Sequence, residues 1–407
     1  MRILMLSQFY PPMIGGEERH VRDLSIALAA RGHHVAVATL WHKGLPEFEC
    51  DQGVSVYRIR ASMPRFTALF SDPKGHHSPP FPDPEGVLAL RRLVKEERPD
   101  IVHAHNWLLH TFTPIKVWSK AKFVVTLHDC SLVCAQQQFM NHGKLCDGPD
   151  LLKCLWCASH HYGPVKGMPV VLALQFWRER AQRAVDMFLA VSRAIAEISQ
   201  LKQHHLPYQI IPNFIRDDLG ALPADVSEKY LAQLPPEGYL LFVGNIGRAK
   251  GVDTLLEAYA GLNERLPLVL IGPPVLDFPT PELPNVHVLH SWPHAAVMHA
   301  LSRCTISLIP SACLDACPTV AMEAMAMGRP VIASRIGGLP DIVVDGETGL
   351  IVPPGDAQKL RDAIQYLLDN PEQRACMGAA AKQRVADFQI RTVIPRIEEV
   401  YQKVLQG

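Results

Sequence analysis

The sequence predicts an α/β protein made of two doubly wound, Rossmann-like domains, and three observations carry that expectation. A chain of 407 residues exceeds what one ordinary hydrophobic core organises, so it should divide in two. Short apolar runs alternate with stretches of helical periodicity, the pattern of parallel strands joined by crossover helices. Each half also contains an apolar run that enters a glycine-bearing turn and then a helix: residues 3–6 before Gly15-Gly16, and residues 239–243 before Gly244.

Composition sets the class. With 48% hydrophobic and 20% charged residues the chain can bury large cores. Lys+Arg and Asp+Glu both total 40, so no net field draws it to nucleic acid, and no nucleic-acid partner is expected. No apolar run approaches the ~20 residues of a membrane span. Met1-Arg2 leads directly into an apolar strand, which leaves no room for a signal peptide. A cytoplasmic protein is expected, with peripheral contact at the inner face of the membrane as its only approach to lipid. Its ten cysteines should then be mostly reduced.

In the first half, residues 3–6 read as a buried strand, followed by Pro11-Pro12 and Gly15-Gly16. Val21, Leu24 and Leu28 fall on one helical face, Gly32 closes the helix, and residues 35–40 return as a strand. The turn is not GxGxxG, so a nicotinamide-type fingerprint is absent. Further strands are expected at 54–59, 101–105 and 123–128, and residues 62–84, rich in Pro, Ser and His, read as a long ligand-contacting loop. His105 and His128 then stand at strand C-terminal ends, the ligand side of an open α/β sheet. His128 can donate to a sugar hydroxyl or polarise a phosphate, or it can simply cap its strand.

Cysteines crowd the next segment. Cys134, Cys146, Cys154 and Cys157 could hold a structural zinc, since the last two form a C-x2-C; Cys130, His142, His160 and His161 lie close by in sequence. Free buried thiols are the alternative. Residues 170–185 form a helical pattern with Arg178, Arg180 and Arg183, either a surface for anionic lipid or a core helix with a solvated basic face. Residues 187–192 are the expected last strand of the first domain, and 210–213 resemble an inter-domain connector of a known family named below. Residues 221–238, rich in Pro, Glu and Ala, should open the second domain.

In the second half, Gly244-Asn245-Ile246-Gly247-Arg248-Ala249-Lys250-Gly251 leads a strand into a helix. A glycine-bearing loop with cations before a helix is a phosphate cradle in physical terms. Strands follow at 268–272 and 286–290, then at 305–309. Pro318-Thr319 opens a helix carrying Glu323, which Gly328 and Pro330 end before a strand at 331–333. Asp315 and Glu323 beside a helix start suit a ligand with hydroxyls to fix and phosphates to neutralise; an ordinary strand–helix–strand unit with two surface acids is the alternative. After Gly349 come helical stretches at 356–368, 371–385 and 392–405.

These residues resemble the donor site of retaining glycosyltransferases of family 4, which have the GT-B fold. That family's motif is Glu-x7-Glu, an EAMA-type helix, Gly-x-Pro, a Gly-Gly loop and a closing Asp-Gly-x-x-Gly. Asp315-x7-Glu323, Glu323-Ala-Met-Ala326, Gly328-Arg-Pro330, Gly337-Gly338 and Asp345-Gly-Glu-Thr-Gly349 match it in order. The resemblance implies that Glu323 grips the donor ribose and Asp315, one methylene shorter than the usual Glu, the transferred sugar. It implies a sugar contact for His128, and places Gly15-Gly16-Glu17-Glu18 near the donor phosphates and the acceptor. Lys250 matches the family's phosphate-binding Lys, whereas Asn245 stands where an Arg is usual and Arg248 comes three residues later. His290-Ser291-Trp292 falls where relatives contact the nucleobase, and Gly244, Cys317, Pro318 and Thr319 complete the implied donor set.

The resemblance therefore implies two Rossmann-like domains with a cleft between them, residues 1–213 on the acceptor side and 214–388 on the donor side. The terminal helix, 389–407, would cross back to the first domain. The implied activity is metal-independent, retaining transfer from a nucleotide-diphosphate sugar, with UDP or GDP as the nucleotide. The acceptor would be a glycan, a lipid-linked molecule or a small molecule. A non-catalytic sugar-nucleotide binding protein, or a GT-B epimerase or hydrolase, are the rival expectations.

Overall fold

Strands with unbroken apolar sequence suit parallel sheets covered on both faces, and most of the strands here are of that kind. In the computed structural model every residue is described except 14, 63–77, 142–143, 221–225, 237, 264–265, 276–277, 280–282 and 291. Most of the expected 62–84 loop, together with His142, Ser291 and the start of the 221–238 segment, thus lies outside the described residues. The chain divides into two units, Met1–Pro212 with Val393–Gly407, and Asn213–Thr392.

The first unit contains β1 (Arg2–Leu6), β2 (His34–Leu40), β3 (Phe48–Asp51), β4 (Val54–Ile59), β5 (Ile101–Ala104) and β6 (Lys122–Leu127). They are followed by a small hairpin, β7 (Met140–Asn141) with β8 (Lys144–Leu145), and by β9 (Met187–Ala190) and β10 (Tyr208–Ile210). Eight of these form one sheet in the order β10-β9-β6-β5-β1-β2-β4-β3. All its pairs are parallel except β3 with β4. Two strands of this sheet were not expected, nor was the β7–β8 hairpin. The β3–β4 hairpin turns through Gln52 (φ 50°) and Gly53 (φ 86°), left-handed residues that match the twist of an antiparallel pair. β10 lies within and just before the expected connector and adds an edge beyond β9, which ends at Ala190 rather than 192.

The C-terminal helix, Ile390–Gln406, buries Val393, Ile394, Ile397, Val400, Tyr401 and Val404, a 3–4 spacing that presents one apolar stripe. Within the first unit its Glu398 meets Arg31 and His33, at 2.6 and 2.7 Å. The helix Pro164–Ala184 begins six residues before the expected 170 and passes through Pro169. It packs closely on the helix Leu151–Tyr162: a Cβ at Gly167 would stand 2.3 Å from the Ala158 carbonyl oxygen.

The second unit has β11 (Leu240–Val243), β12 (Leu268–Ile271), β13 (Val286–Leu289), β14 (Ile306–Ile309), β15 (Val331–Ser334) and β16 (Gly349–Val352). Their order is β13-β12-β11-β14-β15-β16, all parallel. Numbered within the unit this is 3-2-1-4-5-6, the doubly wound order, and its direction reverses between β11 and β14. The edge strand β16 was not expected, because its short apolar run, Leu350-Ile351-Val352, is embedded in the Asp345–Pro354 turn region. No helix among the described residues is long and apolar enough to cross a membrane.

Candidate functional site

In a doubly wound sheet the strand ends on either side of the reversal splay apart and leave a crevice at their carboxyl ends. In the second unit those ends are the exits of β11 and β14. Gly251, after β11, has φ 71°, and a Cβ there would stand 1.8 Å from the Pro310 carbonyl oxygen after β14, so only glycine lets the two exits touch. Ala312 and Cys313 N–H both donate to the Ala249 carbonyl, at 3.1 and 3.0 Å. This crossing delivers Lys250 to Asp315, with Nζ 2.6 Å from Oδ2. Ser311 Oγ donates to the same oxygen at 3.0 Å.

Asp315 is clasped on its main chain too. Gly338 N–H donates to its carbonyl at 2.8 Å, and Gly337, at φ 60°, leaves only 2.0 Å between that oxygen and a Cβ. Residues scattered over 88 positions, 250 to 338, thus meet at one point. The helix Thr319–Ala326 starts four residues after Asp315, and no side chain caps it. Its first N–H groups therefore remain as donors for an anion. Cys317, just before it, is buried; its thiol is pushed up to about 12 by burial and stays neutral. Its carbonyl accepts from Asn213 Nδ2 at 3.1 Å.

Glu323 lies in the second turn of that helix and is only 6% exposed. Its Oε1 is 2.8 Å from His294 Nε2, at the start of the helix His294–Arg303. His294 and Ser311 were not identified from the sequence, since neither belongs to a spacing pattern and each matters only through the carboxylate it reaches. His290 is exposed and donates from Nδ1 to the Gly272 carbonyl at 3.1 Å. Arg248 is exposed, and its side chain makes no hydrogen bond or ion pair with the described residues, so it does not join Lys250 on Asp315. Gly244 follows β11 directly.

The first unit reverses between β1 and β5, and its polar cluster sits at the exits nearby. Gly15 caps the helix Gly16–Ala30 in extended conformation, without a side-chain cap. Glu17 in its first turn accepts from Asn106 Nδ2, just beyond β5, at 2.6 Å. His128, beyond β6, has Nε2 3.0 Å from His105 Nδ1. Its ring meets that of His20 edge-on, centroids 4.8 Å apart. Burial pushes the imidazoles of His20 and His105 well down, so they stay neutral, and pushes the carboxyls of Glu17 and Asp129 up. Behind them His103 bridges two hydroxyls, Tyr401 at Nδ1 and Thr126 at Nε2, both at 2.7 Å, and burial pushes it down to about 3.

Cys134, Cys146, Cys154 and Cys157 are neighbours, close enough for the other three to help raise the Cys157 thiol. Cys154 and Cys157 lie one turn apart on the helix Leu151–Tyr162, and Cys134 and Cys146 on the segments before it. Cys157 Sγ accepts from Gln136 Nε2 at 3.1 Å, and Cys146 Sγ donates to the Gly148 carbonyl at 3.4 Å. Burial raises the thiols of Cys134, Cys154 and Cys157. Among the described residues, His20, His105 and His128 form a group of potential metal ligands lying within 4.8 Å of one another.

Comparison with known proteins adds independent findings. A family model described as Glycosyltransferase Family 4 matches residues 14–219, about half of the chain, and one described as Glycosyl transferases group 1 matches residues 228–384. A glycogen synthase of Mycobacterium tuberculosis (strain CDC 1551 / Oshkosh) is 28% identical, over 100% of this chain and 96% of its own length. Among solved structures, a sucrose-phosphate synthase from Thermosynechococcus elongatus superposes with a TM-score of 0.75 at 23% identity, covering 99% of both chains. Anabaena Alr3699/HepE in complex with UDP-glucose gives 0.68 at 18% identity, covering 98% of this chain and 99% of its own.

Proposed function

Because this chain belongs to Glycosyltransferase Family 4, we propose that it moves a sugar, with retention of configuration and without a catalytic metal, from a UDP- or GDP-sugar to an acceptor hydroxyl. Its fold is GT-B, and it is a nucleotide-sugar-dependent glycosyltransferase. The observation that carries the finer reading is the convergence of Lys250, Asp315, the Gly337-Gly338 loop and an uncapped helix start at the reversal of the second sheet.

In this reading the bond between the anomeric carbon and the diphosphate oxygen breaks as the acceptor oxygen bonds to that carbon. Lys250 and the N–H groups at Thr319 meet the charge growing on the departing diphosphate, where a cation and fixed dipoles act most strongly. Glu323, held by His294, accepts from the ribose hydroxyls, and Asp315 from the transferred sugar. The roles proposed for the first unit are a sugar contact for His128 and a phosphate contact for the Gly15-Gly16 turn. Arg248 is free to swing to the diphosphate when it binds. UDP is the nucleotide supported by the HepE complex, and the M. tuberculosis relative supports a glycan acceptor.

A membrane-borne acceptor has support of its own. On the helix Pro164–Ala184, Val165, Met168, Leu172 and Phe176 recur at 3–4 spacing and are 45–79% exposed. Leu152 and Trp156 of the neighbouring helix are 77% and 53% exposed. Arg180 lies over the Phe176 ring at 3.8 Å, so a cation borders the stripe, as suits an anionic lipid surface. The other face of the same helix is packed through Val171 and Leu174, so the core-helix alternative accounts for only half of its circumference.

The test is nucleotide release from UDP-, GDP- and ADP-sugars in the presence of a chelator, with Glu323→Ala and Lys250→Ala alongside. Release from one donor that survives chelation and is lost in both variants is expected. Release that requires a divalent ion overturns metal independence, and neither release nor binding overturns the donor site.

A further inference from the structure

His20, His105 and His128 come from three separate segments, the helix after β1 and the exits of β5 and β6, yet their ligand atoms all lie within 4.8 Å of one another. His105 Nδ1 and His128 Nε2, 3.0 Å apart, share one proton. Two nitrogens bound to a tetrahedral ion at 2.0–2.1 Å stand about 3.3 Å apart, so this pair opens to accept a metal by a few tenths of an ångström. The other nitrogen of His105, Nε2, is buried and has no hydrogen-bond partner among the described residues.

The electrostatics agree in sign. Beside the trio sit two carboxyl groups, Glu17 and Asp129, close enough for Asp129 to act on Glu17. Glu17 lies one turn before His20 on the same helical face, Asp129 directly follows His128, and Asn106, next to His105, donates to Glu17 at 2.6 Å. No cation pairs with Glu17 among the described residues. Two half-buried acids close to three imidazoles are surroundings that suit a dication.

We propose that His20, His105 and His128 form a site for a divalent transition-metal ion of the zinc class. Imidazole favours Zn²⁺, Co²⁺, Ni²⁺ and Cu²⁺ over Mg²⁺ and Ca²⁺, which take oxygen. Such an ion acts on transfer as an inhibitor, because a metal-bound His128 cannot donate to a sugar. That consequence rests on the role proposed for His128; the site itself does not.

The experiment is a Co²⁺ absorption titration of metal-free full-length protein, followed by displacement with Zn²⁺ and a challenge with excess Mg²⁺. One equivalent is expected, with a visible d–d spectrum, no near-ultraviolet thiolate band, loss on adding Zn²⁺ and no response to Mg²⁺. His20→Ala should weaken uptake at least about tenfold, while Cys154→Ser with Cys157→Ser leaves it unchanged. A thiolate band, absence of stoichiometric uptake, or equal uptake by His20→Ala and His105→Gln overturns the site. If both histidine variants fail to fold, the ligand signature of the native protein decides. Loss of metal binding with normal sugar transfer would leave the transferase reading intact.

Discussion

Replacing Lys250 with alanine removes the cation that pairs with Asp315, and its effect follows from the geometry. The ammonium is 2.6 Å from Asp315 Oδ2, and the two side chains are 31% and 13% exposed, so the pair is only partly screened. A unit charge about 4 Å from a phosphate oxygen, at the effective dielectric of roughly 20 that suits such sites, is worth about 4 kcal/mol. Loss of a comparable pre-organised donor elsewhere costs about 10²- to 10³-fold in turnover. Lys250→Ala should therefore lower kcat by roughly 10²- to 10³-fold, with a much smaller change in KM for the donor, because the charge on the diphosphate peaks as it departs. The assay is steady-state nucleotide release across donor concentrations. The double variant with Asp315→Asn should lose less than the sum of the two single losses, since each partner holds the other. A kcat within about threefold of the native value, or a loss expressed only in KM, would refute a leaving-group role for Lys250.

Four further outcomes are expected. Gly251→Ala forces a left-handed alanine whose Cβ meets the Pro310 carbonyl at 1.8 Å, and should destabilise the second unit by more than the ~1 kcal/mol typical of backbone strain, read in urea unfolding. His103 has its pKa lowered from 6.5 to about 3, so the unfolded chain takes up the proton first and stability falls as pH drops from about 6.5 towards 3. His20, His105 and His110 act in the same direction, so His103→Gln should remove one share, up to about 1.4 kcal/mol per pH unit, when unfolding is compared between about pH 6.5 and 5. Leu172→Ser combined with Phe176→Ser should abolish co-sedimentation with anionic vesicles without shifting the melting temperature downward, whereas equal binding by native protein and variant would discard the lipid surface. His294→Ala should raise the KM for the donor at least as much as it changes kcat, because it orients the carboxylate assigned to the ribose, and His294→Gln should recover part of the loss.

The strand–helix alternation was legible because parallel strands buried on both faces must be written as apolar runs, and residues 3–6, 240–243 and 268–271 are such runs. The strands that escaped are those in which burial is one-sided or borrowed. β3 alternates exposed and half-buried positions, β10 is a short edge strand, and β16 is a four-residue run inside a turn-rich segment.

The donor motif was legible for another reason. A helix start, a glycine pair and two carboxylates must keep fixed spacing along the chain to keep fixed spacing in space, so Asp315, Glu323 and Gly337-Gly338 could be named in advance. What each side chain touches is another matter. The pairing of Lys250 with Asp315 depends on a left-handed Gly251 pressed on Pro310, and that of Glu323 with His294 on two helices meeting. The histidine trio depends on a helix and two strand exits converging, and the grouping of the cysteines on one helix meeting the segments before it. Sequence by itself determined the elements and the chemistry available at their ends, since both follow from local pattern. Only the tertiary structure decided which of those groups meet, because contacts across about 20 to 90 residues are fixed by sheet order and backbone approach, and neither leaves a period in the chain.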